Sequence, residues 1–315
     1  MRNPGAFLRP AIASVLGQSY QDLELLVVDD GCKDGSRDYV ESLHDSRVRV
    51  LEGPRSGIAA CMNVALASAR GEIIMRCDAD DLFPADRVRV QVQWLTEHAD
   101  HGAVCGRFTM IDHNDEVVSP LGPWPNHTVD NIAPQLLCRE FSTTLCSFAI
   151  RRRAALATGG FRTYFKTAED TDFVLRLAEA ERIGYLPAVT YLYRLHGESI
   201  THTQPSDTRE FYERAAFAMS SERMTGGSDS LMAEMSPCTP SVATCSTAPP
   251  YSAAVHISDL RTALAWKRLG QRDGPGARSL AWLALRGDPK SVRRWKAFAL
   301  ISARSWTMEW TGENR

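Results

Sequence analysis

The sequence predicts an α/β fold, a mainly parallel and doubly wound sheet, followed by a helical appendage. Three observations carry that prediction. Helical and strand patterns alternate from the start of the chain through Ile111. The strand-like runs are short and almost continuously apolar, as strands buried on both faces are. A stretch without periodicity, Thr225 to Ser252, then separates this body from a basic, tryptophan-rich helical tail.

Phe7, Leu8, Ala11, Ile12, Val15 and Leu16 recur at helical spacing, and Gly17 closes that helix. Glu24 to Asp29 reads as a buried strand, and the turn Gly31 to Ser36 leads into a helix from Arg37 to His44. Arg47 to Leu51 alternates like a strand, Ile58 to Ala69 is helical, and Glu72 to Cys77 is the next strand. Pro84 is expected in the first turn of a helix running through Val88, Val92 and Leu95. Ala103 to Ile111, Phe141 to Ile150 and Ile183 to Tyr193 read as later strands, with a helix from Asp170 to Ala180. The tail reads as helices over 258–269, 276–285 and 289–306, the last with Asp288 as N-cap and Pro289 at the first helical position. The expected organisation is a body over 1–224, a flexible linker over 225–255 and a helical tail over 256–315.

The chain has 315 residues, 44% hydrophobic and 23% charged, the balance of a packed protein. No apolar run approaches the ~20 residues that span a bilayer, and the first twenty residues lack a signal-peptide layout. A formal net charge of −2 argues against a general nucleic-acid binder. That charge is unevenly spread. Residues 256–315 hold twelve Lys/Arg and five Asp/Glu, a net of +7, which leaves −9 on residues 1–255. None of the eight cysteines forms a CxxC pair, so reduced, intracellular thiols and no zinc site are expected.

Two carboxylate clusters fall at the carboxyl ends of expected strands: Asp29-Asp30, and Asp78-Ala79-Asp80-Asp81. In open α/β sheets that edge is where ligands bind. Converging acids repel one another unless a cation intervenes, and hard oxygen ligands select Mg²⁺ or Mn²⁺. Turn chemistry at Asp29-Asp30-Gly31 and helix capping at Asp81 to Pro84 would explain each cluster separately. Both clusters on one edge favour function. A third, Glu169-Asp170-Thr171-Asp172, opens a helix, where acids complement the dipole and a carboxylate can also serve as general base.

The succession Ala11 to Gln18, Leu25 to Gly31, Asp34-Gly35-Ser36, Ser56 to Ala60 with Asn63, Ala69 to Glu72 and Asp78 to Asp81 resembles the family 2 glycosyltransferases of GT-A fold. Gly159-Gly160-Phe161, Glu169-Asp170 and Tyr193 to His196 continue the resemblance in order, over roughly residues 3 to 205. It implies a Rossmann-like GT-A domain and a single, inverting displacement on a nucleotide sugar, most simply a UDP-sugar. The acceptor it implies is a polysaccharide or glycolipid, and the setting is cytoplasmic. By the same resemblance Asp30 would contact the nucleotide base, and Asp80 would ligate the metal. Asp78 would lie near the ribose or metal, and Asp170 would be the catalytic base. Gly57, Asn63, Glu169, Arg194 and His196 would complete the donor site.

Two departures stand out. Family members usually begin with a central apolar strand ending in a Pro-x-x-Asn-like segment, whereas this chain begins Met1-Arg2-Asn3-Pro4. A misplaced start or a truncated, inactive relative acting as a binding scaffold would both account for it. Cys32 also stands where the family commonly has Ser. A third class, a GT-A-like nucleotidyltransferase, lacks support because no Gly-rich, basic phosphate loop follows the first strand.

Five of the seven tryptophans (Trp266, Trp282, Trp295, Trp306 and Trp310) lie in the tail. Val292, Trp295, Ala299 and Trp306 share one helical face. Two readings fit: an interfacial helix on anionic lipid, or a helical appendage that packs its tryptophans inward.

Overall fold

The computed structural model describes residues 1–119, 124–233 and 252–310. Its elements run in the order α1 (Leu8–Leu16), β1 (Leu25–Asp29), α2 (Ser36–Glu41), β2 (Val48–Glu52), α3 (Ile58–Ser68), β3 (Ile73–Ile74), α4 (Arg87–Glu97) and β4 (His101–Ile111). They continue with α5 (Ala133–Leu137), β5 (Phe148–Arg151), α6 (Arg152–Ala157), α7 (Glu169–Ala180), β6 (Arg182–Arg194), α8 (Ile200–Thr203) and α9 (Ser206–Gly226). The chain ends on α10 (Ala253–Gly270), α11 (Gly274–Gly287) and α12 (Val292–Trp310). The linker expected over 225–255 lies largely outside the described residues, as do Cys238 and Cys245.

The fold divides into two compact units. The first gathers residues 1–108, 124–192 and 207–233, and the second gathers 109–119, 193–206 and 252–310. The tail therefore clusters with two segments from the middle of the chain. Within the second unit Arg261 of α10 pairs with Asp112, and Ile111 accepts a backbone hydrogen bond from Leu195 at 2.9 Å.

In the first unit β1 and β2 pair in parallel, Leu25 opposite Val48 through Asp29 opposite Glu52. A second sheet has the order β3-β5-β4-β6, and β5 runs antiparallel to both β3 and β4. Parallel pairing joins β1 to β2, and β4 and β6 also advance together, Gly102 lying beside Glu181 and Gly106 beside Thr190; with β5 antiparallel to its neighbours, the α/β fold is mixed in strand direction. Among the described residues no strand pairing joins the two sheets. On β1, the Met1 amino group donates to the Val28 carbonyl, and Asp30 N–H donates to the Met1 carbonyl at 2.9 Å.

The apolar periodicities read from the sequence build the core. Leu8 and Ile12 of α1 pack with Val27 of β1 and Val40 of α2. Phe148, Phe161, Phe173, Leu177, Ile183 and Tyr185 form the larger core, with Phe161 and Phe173 stacked at 4.3 Å. Burial of that many aromatic and branched side chains is the main favourable term holding the layers together.

Several elements differ from expectation. The strand expected over Glu72 to Cys77 pairs only at Ile73 and Ile74; beyond it the Arg76 side chain meets Asp78 and the buried Glu169. The strand expected from Phe141 starts at Phe148; before it the Thr144 hydroxyl accepts from Cys146 N–H and sets a turn of 3₁₀ helix over Leu145–Ser147. Pro84 precedes α4 instead of entering it, since its carbonyl accepts from Arg87 N–H and from Gln18 Nε2. In α12 Asp288 is not the N-cap. Its carboxylate pairs with Arg294, and Ser291 Oγ accepts from Arg294 N–H at 3.4 Å, at the first turn of a helix beginning at Val292.

Candidate active site

In the apolar run Ile73-Ile74-Met75, Ile73 and Met75 pack against Trp94, Val104 and Leu186, and Ile74 packs against the larger core. Arg76 follows at once, nearly buried. A guanidinium in such surroundings needs a carboxylate, and it has two. Arg76 Nε and Nη2 donate to Asp78 at 2.7 and 3.2 Å, and Nη1 donates to Glu169 Oε1 at 3.3 Å. Burial opposes the Arg76 charge, but the neighbouring acids outweigh it and hold its pKa well above the ordinary value. One side chain thereby joins the Asp78–Asp81 segment to the start of α7, 93 residues away.

The Asp78–Asp81 segment is a turn closed by Asp81 N–H donating to the Asp78 carbonyl at 3.2 Å. Tyr191 of β6 pins it from beneath. Its hydroxyl accepts from Asp78 N–H at 3.1 Å and donates to the Asp81 carboxylate at 2.6 Å. Asp81 and Tyr191 are buried, so this acid is structural, whereas Asp80 is half-buried beside it. Ala79 packs against the Leu8, Ile12, Val27 and Val40 cluster, which brings the turn to β1. The Cys77 and Cys146 thiols beside it are pushed far up by burial and stay protonated.

At the other end of the Arg76 bridge, Ala168 adopts a left-handed conformation that starts α7 sharply at Glu169. Burial, and then the adjacent Asp170 carboxylate, push the Glu169 carboxyl up to about 7, against the pull of Arg76. Asp170 is half-buried, and Thr171 N–H donates to its Oδ1 at 2.8 Å. Asp172 is fully buried and paired with Arg162 and Arg176, so the structural reading of that acid holds.

At the end of β1, Asp29 is buried. Burial opposes its charge, but the Cys32 N–H and Arg37 outweigh that and hold its carboxyl below the usual range. Asp30 is half-buried, and its Oδ1 accepts from Arg55 N–H at 2.7 Å. Gly53 lies so close that an added Cβ would meet the Asp29 carbonyl at 2.7 Å, which fixes the approach of the two loops. Gly57 caps α3 with φ +97 and has open space where a side chain would be.

Three sequence-predicted residues have other partners in the structure. Asn63 Nδ2 donates to the Phe161 carbonyl and its Oδ1 accepts from Phe161 N–H, both at 2.8 Å. Both ends of the amide therefore clamp the Gly159-Gly160-Phe161 loop. Glu169 is turned onto Arg76 and buried. Arg194 is 1% exposed, and its Nη1 donates to the Asp112 carbonyl at 2.9 Å and pairs with Asp115, all within the second unit. His196 also belongs to the second unit, where its carbonyl accepts from Ser199 Oγ at 2.9 Å. Asp78 and Glu169 are the acids that Arg76 brings together in the first unit, with Asp80 and Asp170 close to them in the chain.

Sequence reasoning passed over Arg76 and Tyr191. A lone arginine inside the apolar run EIIMRC was a signal, because it demands a buried counter-charge. Tyr191 carried none, since a tyrosine in a strand is ordinary.

Among the described residues no three His, Cys, Asp or Glu side chains gather at one point. Asp78 is held by Arg76 and Asp80 lies half-buried beside it; one or two carboxylates are what an ion such as Mg²⁺ takes when substrate phosphates and water complete its shell.

The family model described as Glycosyl transferase family 2 matches residues 1–160. A chondroitin synthase of Pasteurella multocida (strain Pm70) is 25% identical over 210 residues, 66% of this chain and 21% of that protein. A hyaluronan synthase of Pasteurella multocida is 25% identical over 199 residues, 62% of this chain and 20% of that protein. The chain thus spans about a fifth of the length of these curated relatives. Among solved structures, S. aureus TarS 1-349 in complex with UDP-GlcNAc aligns with a TM-score of 0.61 at 15% identity, over 99% of this chain and 90% of that one. That likeness establishes the GT-A type of fold.

Proposed function

The chain belongs to glycosyl transferase family 2, and from that premise we propose that it is an inverting, metal-dependent glycosyltransferase. Its donor is a nucleotide sugar, most simply a UDP-sugar, and its acceptor a polysaccharide or glycolipid hydroxyl. The observation that carries this reading is the Arg76 bridge, which ties Asp78 of the Asp78–Asp81 turn to Glu169 at the start of α7. The UDP-GlcNAc complex of TarS and the polysaccharide synthases among the relatives support the donor and acceptor classes.

In this reading Asp30 and Gly57 line the nucleotide end of the site. Asp80, with Asp78 beside it, faces the diphosphate, and Asp170 faces the acceptor. Asp80, with Asp78, would hold a Mg²⁺ or Mn²⁺ ion, which would supply charge neutralisation for the leaving diphosphate. The acceptor oxygen attacks the anomeric carbon from the face opposite the diphosphate as the bond from that carbon to phosphate oxygen breaks. The sugar passes through oxocarbenium character, and the nucleoside diphosphate leaves with the bonding pair. Asp170 takes the acceptor proton, a step worth typically 10²–10⁴-fold. Arg76 holds Asp78 and Glu169 in place and touches no reacting atom.

Calorimetric titration of UDP, with and without Mn²⁺, tests the donor site, and we expect binding that depends on the metal. D170N should keep that binding and lower the release of UDP from the donor in the presence of acceptor by about 10²–10⁴-fold. The separation of the two sheets favours the rival reading, a silent GT-A scaffold. A folded chain that binds no UDP under either condition would establish that rival.

A further inference from the structure

We propose that the outer face of α12 is a docking surface for an anionic lipid bilayer, with tryptophans that enter the headgroup region and cations that face the phosphates. The three C-terminal helices are packed with small side chains on the inside and large ones on the outside. Ala265, Leu269, Ala277, Ala281 and Ile301 form their buried core, and Trp266 packs against it. Trp295 and Trp306 instead stand 52% and 63% exposed, with Val292 67% exposed on the same face and Leu300 widening it. On α11, Trp282 is exposed as well, and its ring touches that of Phe298 at 5.6 Å. Aromatic side chains that could have filled the interior are left in water, and a contiguous apolar face of that kind marks an interaction surface.

The polar chemistry around this face selects the partner. Trp295 Nε1 donates to the Pro289 carbonyl at 3.0 Å, so its one polar atom is satisfied within the chain. Lys290, Arg293, Lys296 and Arg304 are all exposed around the face. The nearby carboxylates Asp259 and Asp288 both pair with the buried Arg294. Residues 256–315 carry a net of +7. A second copy docking the same face would set cation against cation, whereas anionic headgroups accept both the charge and the indoles. Among the described residues no helix is long and apolar enough to cross a membrane, so α12 would lie along the surface.

The test uses the full chain and two vesicle preparations, pure phosphatidylcholine and phosphatidylcholine with a quarter phosphatidylglycerol. Co-sedimentation should favour the anionic vesicles and weaken as salt shortens the Debye length. Trp295→Ala with Trp306→Ala, and separately Arg293→Glu with Lys296→Glu, should each weaken partitioning by about tenfold or more, with circular dichroism and UDP binding unchanged. Vesicle binding needs no sugar transfer, so this result stands apart from that of the donor titration. Equal binding to both vesicles, no binding, or binding indifferent to both variant pairs would overturn the proposal. A dimer in sedimentation that the tryptophan pair converts to a monomer would give the face to a second copy instead.

Discussion

Around Asp78 and Glu169 the first unit pairs charges across 93 residues of chain, whereas α10, α11 and α12 meet mainly through alanines and leucines drawn from adjacent helices, with Arg294 as their buried paired charge. The two regions satisfy their interiors with a different balance of means. A paired guanidinium is directional: it holds particular carboxylate oxygens at particular places, and losing it strands the partners in low dielectric. An alanine-lined helix contact is tolerant, because its worth is area removed from water. A site needing two acids at fixed separation is better served by the first arrangement, and a platform for a surface by the second.

The sharpest way to break the comparison is Arg76→Met. It leaves Asp78 and Glu169 without their counter-charge and should destabilise the protein by about 3–5 kcal/mol, measured by urea unfolding. A cost below about 1 kcal/mol, no more than a surface pair is worth, would mean that the acids are solvated after all and the bridge is incidental. Arg76→Lys should recover only part of the loss, since one ammonium cannot donate bidentately to Asp78.

A second measurement sharpens the electrostatics. Glu169 binds its proton more tightly folded, with a pKa of about 7 against an ordinary 4.5. Its contribution to stability is therefore fully present below about pH 4.5 and lost as pH rises through about 7. That span corresponds to roughly 3 kcal/mol at ~1.4 kcal/mol per unit. E169Q should flatten the wild-type decline in stability between these limits. Identical pH profiles for the two proteins would show that the carboxyl is not perturbed.

The smallest effect belongs to the helices. Ile301, buried at the centre of their core, should lose only about 0.5–1.5 kcal/mol as Ile301→Val. A loss as large as that of Arg76→Met would erase the distinction between the two regions.

Sequence pattern made the local parts of this molecule readable. α1 with its closing Gly17, the apolar run of β1, α3 and α7 are set by periodicity and end signals inside a few turns of chain, and they lie where those signals put them. The acid clusters were legible as clusters. What could not be read was assignment among acids and amides that look alike. Asp81 differs from Asp80 in being buried with the Tyr191 hydroxyl donating to its carboxylate. Asn63 differs from a ligand-binding amide only because Phe161 comes back to meet it. Arg76 differs from a surface arginine because Glu169 comes back to pair with it. Each of these depends on a contact nearly a hundred residues away, and no window along the chain contains it.

The Tyr191 hydroxyl also bears on how the protein is made. It satisfies Asp78 N–H and the Asp81 carboxylate from 113 and 110 residues downstream. On the ribosome, where chains grow at ~5–20 residues per second, the Asp78–Asp81 turn emerges several seconds before the residue that completes it. Until then the turn has water for a partner and cannot settle. The first 160 residues, the span that carries the family signature, end before Tyr191 is reached. Expressed alone, that fragment would present an unfinished site to chaperones, and the chain through β6 is the shortest length that supplies Tyr191 to the turn.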